Sequence, residues 1–259
     1  MKHTILQTSL IKSMQLLELL IEEGETGVSD LGRKKGLNRS NVHRILNTFE
    51  SLGYVEKNPA NSKYRPSLRF FELGSFIIQR NGLIKMAHPF LERLGVKFGE
   101  TSNLAILDRD DVIYIDKVES SEALRMDLAI GRRVPAYCTA LGKVLLAGLK
   151  KERFEEYLRT IRLIKRTPNT ISLKRDFLKH LAGVSERGFA IDDEELSIGI
   201  RCIAAPIRNH SGDILASVSI AGPSTRMTLE RLSSLDKPLT DTALEISKQL
   251  GFRPRNRNY

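Results

Sequence analysis

The sequence predicts an α+β protein in two parts: a small helical unit with a short hairpin, then a larger unit whose antiparallel strands are flanked by helices. Three observations predict it. Apolar residues recur at helical spacing along the first part, longer strand pairs split by polar turns appear beyond residue 100, and positive charge gathers in the first part. Of a formal +10 over 259 residues, +7 falls in residues 31–80, where ten basic side chains face three acidic ones.

The elements follow in order. Leu10, Met14, Leu17 and Ile21 recur at i, i+4, i+7 and i+11, an amphipathic helix that Gly24 stops. A shorter helix starts at Ser29, whose hydroxyl caps it, and ends at Gly36. A third opens at Asn38 and closes at Gly53. Val42, Ile45, Leu46, Phe49 and Leu52 share one face of it, while Arg39, Ser40, Asn41, His43, Arg44 and Asn47 form the opposite, polar face. Two helices joined by a tight Gly-Leu-Asn turn, the second polar on its outer side, make a helix-turn-helix. Tyr54–Lys57 and Lys63–Arg65 then form a hairpin around Asn58–Ser62, a wing that Pro66 ends. Residues 67–82 read as a linker helix with Leu68, Phe71, Leu73 and Ile77 apolar, broken at Asn81-Gly82. The expected organisation is therefore 1–66, a winged helix-turn-helix; 67–82, the linker; and 83–259, the second domain.

That domain begins with a helix around His88–Phe98. Asn103–Leu107 and Val112–Val118 flank the turn Asp108-Arg109-Asp110-Asp111 as a β-hairpin. A further strand, Leu124–Ala129, leads into Gly131–Pro135 and a helix from Thr139 to Leu149. Helical patterns follow at 151–160 and 173–187. Strands Ile200–Ile207 and Ile214–Ala221 flank Asn209-His210-Ser211-Gly212, and a helix from Thr228 to Leu250 closes the domain. Strand pairs without regular βαβ units give an antiparallel sheet with helices against it.

Composition narrows the function. A 41 % hydrophobic, 28 % charged chain is globular. No apolar run approaches the ~18 residues of a membrane span, and Met1–Glu23, with Glu18, Glu22 and Glu23 among its leucines, does not resemble a signal peptide. A cytoplasmic protein without membrane association is expected. Cys138 and Cys202 cannot make a disulfide framework or a four-thiolate zinc site, and no two of the histidines outside the third helix stand at the i, i+4 spacing of a helical metal site. With no phosphate-binding glycine loop either, neither metal nor cofactor is expected. A concentrated basic region marks a polyanionic partner, double-stranded DNA, because each phosphate neutralised releases a condensed counterion. The basic tail Arg253, Arg255 and Arg257 adds +3 and has no assigned role.

Four motifs carry a resemblance: Leu37-Asn38-Arg39-Ser40-Asn41-Val42-His43-Arg44-Ile45-Leu46; Gly131-Arg132-Arg133-Val134-Pro135 followed by Thr139-Ala140-Leu141-Gly142-Lys143; Arg187-Gly188-Phe189-Ala190-Ile191-Asp192-Asp193-Glu194-Glu195; and Gly199-Ile200-Arg201-Cys202-Ile203-Ala204-Ala205-Pro206. In order and spacing the chain resembles the IclR (isocitrate lyase regulator) family of bacterial transcription factors over nearly its whole length. The resemblance implies a winged helix-turn-helix, a linker helix and a GAF-like effector-binding domain, assembled as homodimers or homotetramers. Four positions depart from it: Asn41 where threonine is common, Lys35 where a small or polar residue is usual, Gly32 for a frequent alanine, which weakens its helix slightly, and Ala221 for serine.

Two sites follow. On the third helix, Arg39, Ser40, Asn41 and Arg44 are placed to meet base edges and phosphates of a near-palindromic operator, with Arg44 matched to guanine and Asn41 to adenine; His43 and Asn47 share their face. Lys57, Lys63 and Arg65 on the wing are phosphate contacts; a merely solvated basic face is the plainer reading. In the second domain Thr139 caps a helix whose first N–H groups, at Ala140 and Leu141, suit a carboxylate. The resemblance places a small organic acid there, with further contacts at Asp192, Cys202, Ser219 and Ala221. Tyr137 offers a hydroxyl or an aromatic wall. Plain packing is the competing reading for Cys202, Ala140 and Leu141, and turn bracing for Asp192; the acids of Asp192–Glu195 are expected to be exposed. The function predicted is an effector-modulated transcriptional regulator, a repressor rather than an enzyme. Two alternatives stay open: a purely oligomerising second domain, and a thiol enzyme using Cys202.

Overall fold

The computed structural model describes residues 7–80, 82–126 and 128–254, with 75–80 as backbone alone. Arg255 and Arg257, Asn81 and the side chain of Ile77 lie outside that description. The chain divides into two compact units, Met1–Arg80 and Asn81–Tyr259.

The first unit holds α1 (Thr8–Glu23), α2 (Val28–Lys35), α3 (Arg39–Ser51), the hairpin β1 (Val55–Lys57) and β2 (Tyr64–Pro66), and α4 (Arg69–Arg80). Its core packs Leu16, Leu17, Leu19 and Leu20 of α1 against Val28 and Leu31 of α2, Val42 and Leu46 of α3, and Val55 and Tyr64 of the wing. Each buried leucine stabilises the unit by about 1.5–3 kcal/mol. The stripe expected on α1 is corrected: Leu10, Met14 and Ile21 are 55 %, 44 % and 45 % exposed, and of that series only Leu17 is buried. Leucines at 16, 17, 19 and 20 allow two phases for one helical period, and the core uses the other one.

Asn38 caps α3, its side chain accepting the Asn41 N–H at 2.8 Å. The cap expected from Ser29 does not form; α2 starts one residue earlier, behind Gly27, and ends on left-handed Gly36. Gly32 has a positive reason to be glycine. A Cβ there would stand 2.7 Å from the Leu37 carbonyl oxygen, where the chain turns so tightly from α2 to α3 that Leu37 N–H bonds back to Gly32. On α4, Leu68 just before it and Phe71 are 77 % and 74 % exposed, whereas Phe70 stacks on Tyr54 with ring centroids 5.3 Å apart.

The second unit is a six-stranded, wholly antiparallel sheet in the order β5-β4-β3-β8-β7-β6. Its strands are β3 (Thr101–Asp108), β4 (Asp111–Val118), β5 (Arg133–Pro135), β6 (Ala190–Asp193), β7 (Ile200–Arg208) and β8 (Ile214–Pro223). Helices α5 (Gly82–Phe98) and α9 (Leu229–Gln249) cover one face with Leu91, Leu94, Leu235 and Leu239. On the other lie α6 (Ala140–Ala147) and α8 (Lys174–Arg187), packed through Leu141, Val144, Leu145, Phe177 and Leu181, with α7 (Lys151–Thr160) contributing Tyr157.

Three expectations change. The first helix of this unit begins at Gly82 rather than near His88. Leu124–Ala129 is irregular across its described residues, not a strand; Leu124 is 64 % exposed, and Thr101 Oγ1 ties the loop to the sheet through the Met126 carbonyl. Residues 190–193, quoted for their motif, form the edge strand β6. A 3-10 turn, Ala136–Cys138, leads into α6. It crosses α6 so closely that a Cβ on Gly142 would overlap the Ala136 backbone, 2.2 Å from its carbonyl oxygen.

Candidate functional site: nucleic-acid interface and ligand cavity

On α3, Arg39, Ser40, Arg44 and Asn47 are exposed, and Asn41 and His43 are half-buried. Their surroundings divide them. Arg39 has no partner among the described residues, and Arg44 makes only a 3.5 Å contact with Asn41 Oδ1. Asn47 is engaged: its Oδ1 accepts the Tyr64 hydroxyl at 3.0 Å. His43 lies edge-on to the same Tyr64 ring, so these two brace the wing against α3. On the wing Lys57 Nζ sits 5.7 Å from the centre of the Tyr64 ring. Arg65 bonds Glu56 across the hairpin at 2.8 Å, and Lys63 is exposed without a partner among the described residues. Glu25 accepts from Asn58 and Asn61 at 2.7–3.2 Å, pinning the wing turn. Those hydrogen bonds hold its carboxyl below the usual range. The arrangement leaves Arg39, Arg44, Lys57 and Lys63 able to meet phosphates or base edges.

In the second unit a cavity of about 220 Å3 opens at the start of α6. Thr139, Ala140 and Leu141 form its base, Asp192 and Cys202 one side, and Tyr114, Met126, Leu128, Leu196 and Ile200 the apolar wall, with Arg125 and Ser197 also lining it. Thr139 caps the helix by accepting the Gly142 N–H at 3.1 Å. The N–H groups of Ala140 and Leu141, in the first turn, have no partner within the helix.

The sheet brings some predicted residues together and leaves others beneath. Cys202 pairs with Ala221 across β7 and β8; Ser219, fully buried, accepts from Asn103 Nδ2 at 3.3 Å. Ser219 and Ala221 thus underlie the cavity without lining it. The Tyr137 hydroxyl donates to the Ile164 carbonyl at 2.8 Å, and Tyr137 is not among the lining residues.

The acids of 192–195 are partly a correction: Asp192 and Glu195 are buried, each 4 % exposed. Asp192 both lines the cavity and braces its turn, Oδ1 accepting from Glu195 N–H at 2.7 Å and Leu196 N–H at 3.4 Å. Burial raises its pKa to about 7, against the opposing pull of Lys143. Lys143, wholly buried on α6, donates to the Ile191 carbonyl at 2.8 Å and pairs with Glu195; burial also raises the Glu195 carboxyl. Asp193 and Glu194 face Arg201 at 2.6 and 3.2 Å.

Sequence reasoning missed Tyr114, Arg125 and the Lys143–Glu195 pair. One signal was present: a lysine inside Ala140–Ala147, otherwise apolar, requires a buried partner. Cys202 is a poor nucleophile, because burial pushes its thiol up to about 12. His210 lies in the turn beyond the end of β7, eight residues from Cys202 along the chain. Among the described residues no group of side chains could hold a metal, and no helix is long and apolar enough to cross a membrane.

Comparison with known proteins agrees with both units. Residues 9–59 match the IclR helix-turn-helix domain, and residues 75–248 match the bacterial transcriptional regulator IclR C-terminal family. The chain is 37 % identical over 245 residues to the HTH-type transcriptional regulator KdgR of Escherichia coli K12, covering 95 % of this chain and 93 % of that one. It is 32 % identical to the transcriptional repressor IclR of the same organism, over 94 % of this chain and 90 % of that one. The crystal structure of Thermotoga maritima IclR superposes with a TM-score of 0.80 at 33 % identity, covering 94 % of this chain and 99 % of that one. An IclR homologue of Microbacterium hydrocarbonoxydans, crystallised with 4-hydroxybenzoate, gives a TM-score of 0.80 at 25 % identity, over 94 % and 99 % of the chains. A helix-turn-helix with exposed cations on its second helix, a ligand-sized cavity at a helix start and these matches over both units lead to one conclusion: the chain is a DNA-binding transcriptional regulator and belongs to the IclR family.

Proposed function

We propose that this regulator is a repressor whose hold on a near-palindromic operator is set by a small organic acid bound at the start of α6. One observation carries the reading: Thr139, Ala140 and Leu141, at the start of α6, where first-turn N–H groups have no partner within the helix, line a cavity that is otherwise mostly apolar. That combination suits a carboxylate on a compact apolar body. The homologue holding 4-hydroxybenzoate supports the same ligand class. Thr139, Asp192 and Cys202 contact the acid directly, Ser219 and Ala221 shape the floor beneath them, and Tyr137 orders the wall behind. On DNA, Arg39, Ser40, Asn41 and Arg44 read bases and phosphates, Lys57, Lys63 and Arg65 touch the backbone, and His43 and Asn47 hold the wing in register.

The working form is a homodimer or a pair of dimers, since a palindrome needs two reading helices about one DNA turn apart. The exposed stripe Leu10, Ile11, Met14 and Ile21 on α1 supports a further interface. The domains are assigned as 1–66 for DNA binding, 67–82 as linker and 83–259 for sensing and assembly. The protein acts in the cytoplasm and carries out no chemistry; the raised Cys202 thiol disfavours a thiol enzyme.

The experiment selects an operator from random duplex DNA with the full-length protein, then titrates it with and without benzoate, 4-hydroxybenzoate, pyruvate and lactate. The expected result is a 5–150-fold shift in operator affinity for at least one acid, the span of a 1–3 kcal/mol coupling. An acid that raises the melting temperature without moving operator affinity overturns the coupling; if no acid raises the melting temperature or moves operator affinity, a purely oligomerising second domain stands.

A further inference from the structure

The cavity is short of positive charge for the ligand just proposed, and the shortage has a chemical consequence. Among the described residues, the charged and titratable groups around Asp192 come from several elements, and Arg166 reaches the same neighbourhood through Cys138 and Tyr137. From α6 comes Lys143, already matched by Glu195 and the Ile191 carbonyl. From the adjoining turn comes Glu195 itself, while Asp193 and Glu194 pair with Arg201 on β7. Tyr114 on β4, Cys202 on β7 and Cys138 on the 3-10 turn are also near, each with its ionised form disfavoured by burial. At the rim, Arg125 leans on Glu119 at 3.3 Å. His180 of α8 is electrostatically close to Lys143 and is held neutral by burial. Among the described residues no cation bonds to Asp192, and the one cation lining the cavity, Arg125, is bridged to Glu119 at the rim.

A carboxylate entering at Ala140 and Leu141 would therefore share about 220 Å3 with a second carboxyl group, Asp192, against walls of leucine, methionine and isoleucine. Two carboxylates that close in a poorly solvated site do not both stay ionised; one keeps a proton. Asp192 is the natural carrier. Its Oδ1 accepts two backbone N–H groups, and Oδ2 has no partner among the described residues. The Tyr114 hydroxyl, on a side chain 2 % exposed that lines the same cavity, is likewise without a partner among the described residues and adds a second donor.

We propose that the cavity binds a singly charged carboxylic acid together with one proton from water, carried on Oδ2 of Asp192 and donated to the ligand. This rests on the effector reading above and deepens it: operator occupancy then answers to acid and proton jointly. In the ligand-free protein burial raises the Asp192 carboxyl to about 7. Below that pH the proton is already in place and affinity is flat. Above it the proton must be taken up on binding, and affinity falls about tenfold per pH unit.

The test is calorimetric titration of full-length protein from pH 6 to 9 with benzoate, pyruvate and lactate, each a monoanion throughout, and with 4-hydroxybenzoate up to pH 8, where its phenol stays protonated. For whichever binds most tightly, Kd is expected to weaken at least tenfold between pH 7 and 9. Heats in phosphate and Tris at pH 8 should differ by the uptake of nearly one proton. Asp192→Asn keeps an oxygen for the two backbone N–H groups and should bind with no uptake and no slope, which separates Asp192 from the histidines. Binding with a flat Kd and no uptake in the wild type overturns the proton proposal and leaves the carboxylate reading standing. Failure of all four acids to bind overturns both.

Discussion

In the first unit the cations stand in water: Lys35, Arg39 and Lys63 are exposed and have no partner among the described residues, and Arg65, where paired, keeps a half-exposed partner in Glu56. In the second unit the decisive cation, Lys143, is wholly buried and answered by a carboxylate and a carbonyl. The same residue types do opposite work. Exposed charge costs the fold little and stays available to a polyanion, whereas buried charge is committed to holding a turn and is dangerous to disturb. The contrast predicts that charge removal damages binding without folding in one unit, and folding in the other.

The largest effect is expected at Lys143. Lys143→Met leaves Glu195 buried beside Asp192 with no cation, a loss of about 3–5 kcal/mol in stability of the second unit. Urea unfolding of the full-length protein reads it, and Lys143→Met with Glu195→Leu should recover most of the loss, since both charges go together. A loss below about 1 kcal/mol for the single variant would break the contrast.

Next comes Arg44. Arg44→Ala should cost about 1–3 kcal/mol of operator affinity at fixed salt and relax one base position, with stability unchanged within about 0.5 kcal/mol. A variant that unfolds instead would show this arginine to be structural, like its neighbour Asn47.

A pH series sharpens the buried side. His180 is half-buried with Nε2 unpartnered among the described residues, and burial lowers its pKa from 6.5 to about 4. The unfolded chain therefore takes up the proton first. The contribution of His180 to stability is full above pH 6.5 and is lost as the pH falls toward 4. Discounted for solvent screening, the effect is on the order of 1 kcal/mol, and His180→Gln should make the acid limb of the second unit shallower. An unchanged limb removes His180 as its cause.

What could be read in advance follows the same division. The build of α3 was legible because it depends on local spacing: the helix opens behind Asn38, which caps it, and Val42 and Leu46 turn inward together. The capping of α6 by Thr139 was legible for the same reason. What failed was set by partners distant in sequence. The phase of α1 depends on Leu31, Val42 and Tyr64 packing against Leu16 and Leu20. Burial of Asp192 and Glu195 depends on Lys143, 52 residues from Glu195. Leu124 and its neighbours had strand composition but no strand to pair with. Gly32, which intrinsic propensity marks as a weak point, is the residue that lets Leu37 approach.

The smallest prediction separates two neighbours on the wing. Lys63 is unpaired among the described residues, and Arg65 is held by Glu56 at 2.8 Å with both side chains about half exposed. If exposed charge is the currency of the first unit, Lys63→Ala should reduce the slope of log affinity against log salt by about 1. Arg65→Ala should do less, because part of its charge is already answered by Glu56; the surface pair it breaks is worth about 0–1 kcal/mol of stability. Titrating a fixed operator from 50 to 200 mM salt, on the order used for phosphate-contact counts, distinguishes them. Equal slopes for the two variants would mean that Arg65 leaves Glu56 on binding DNA, and the pair would then be a resting contact rather than a structural one.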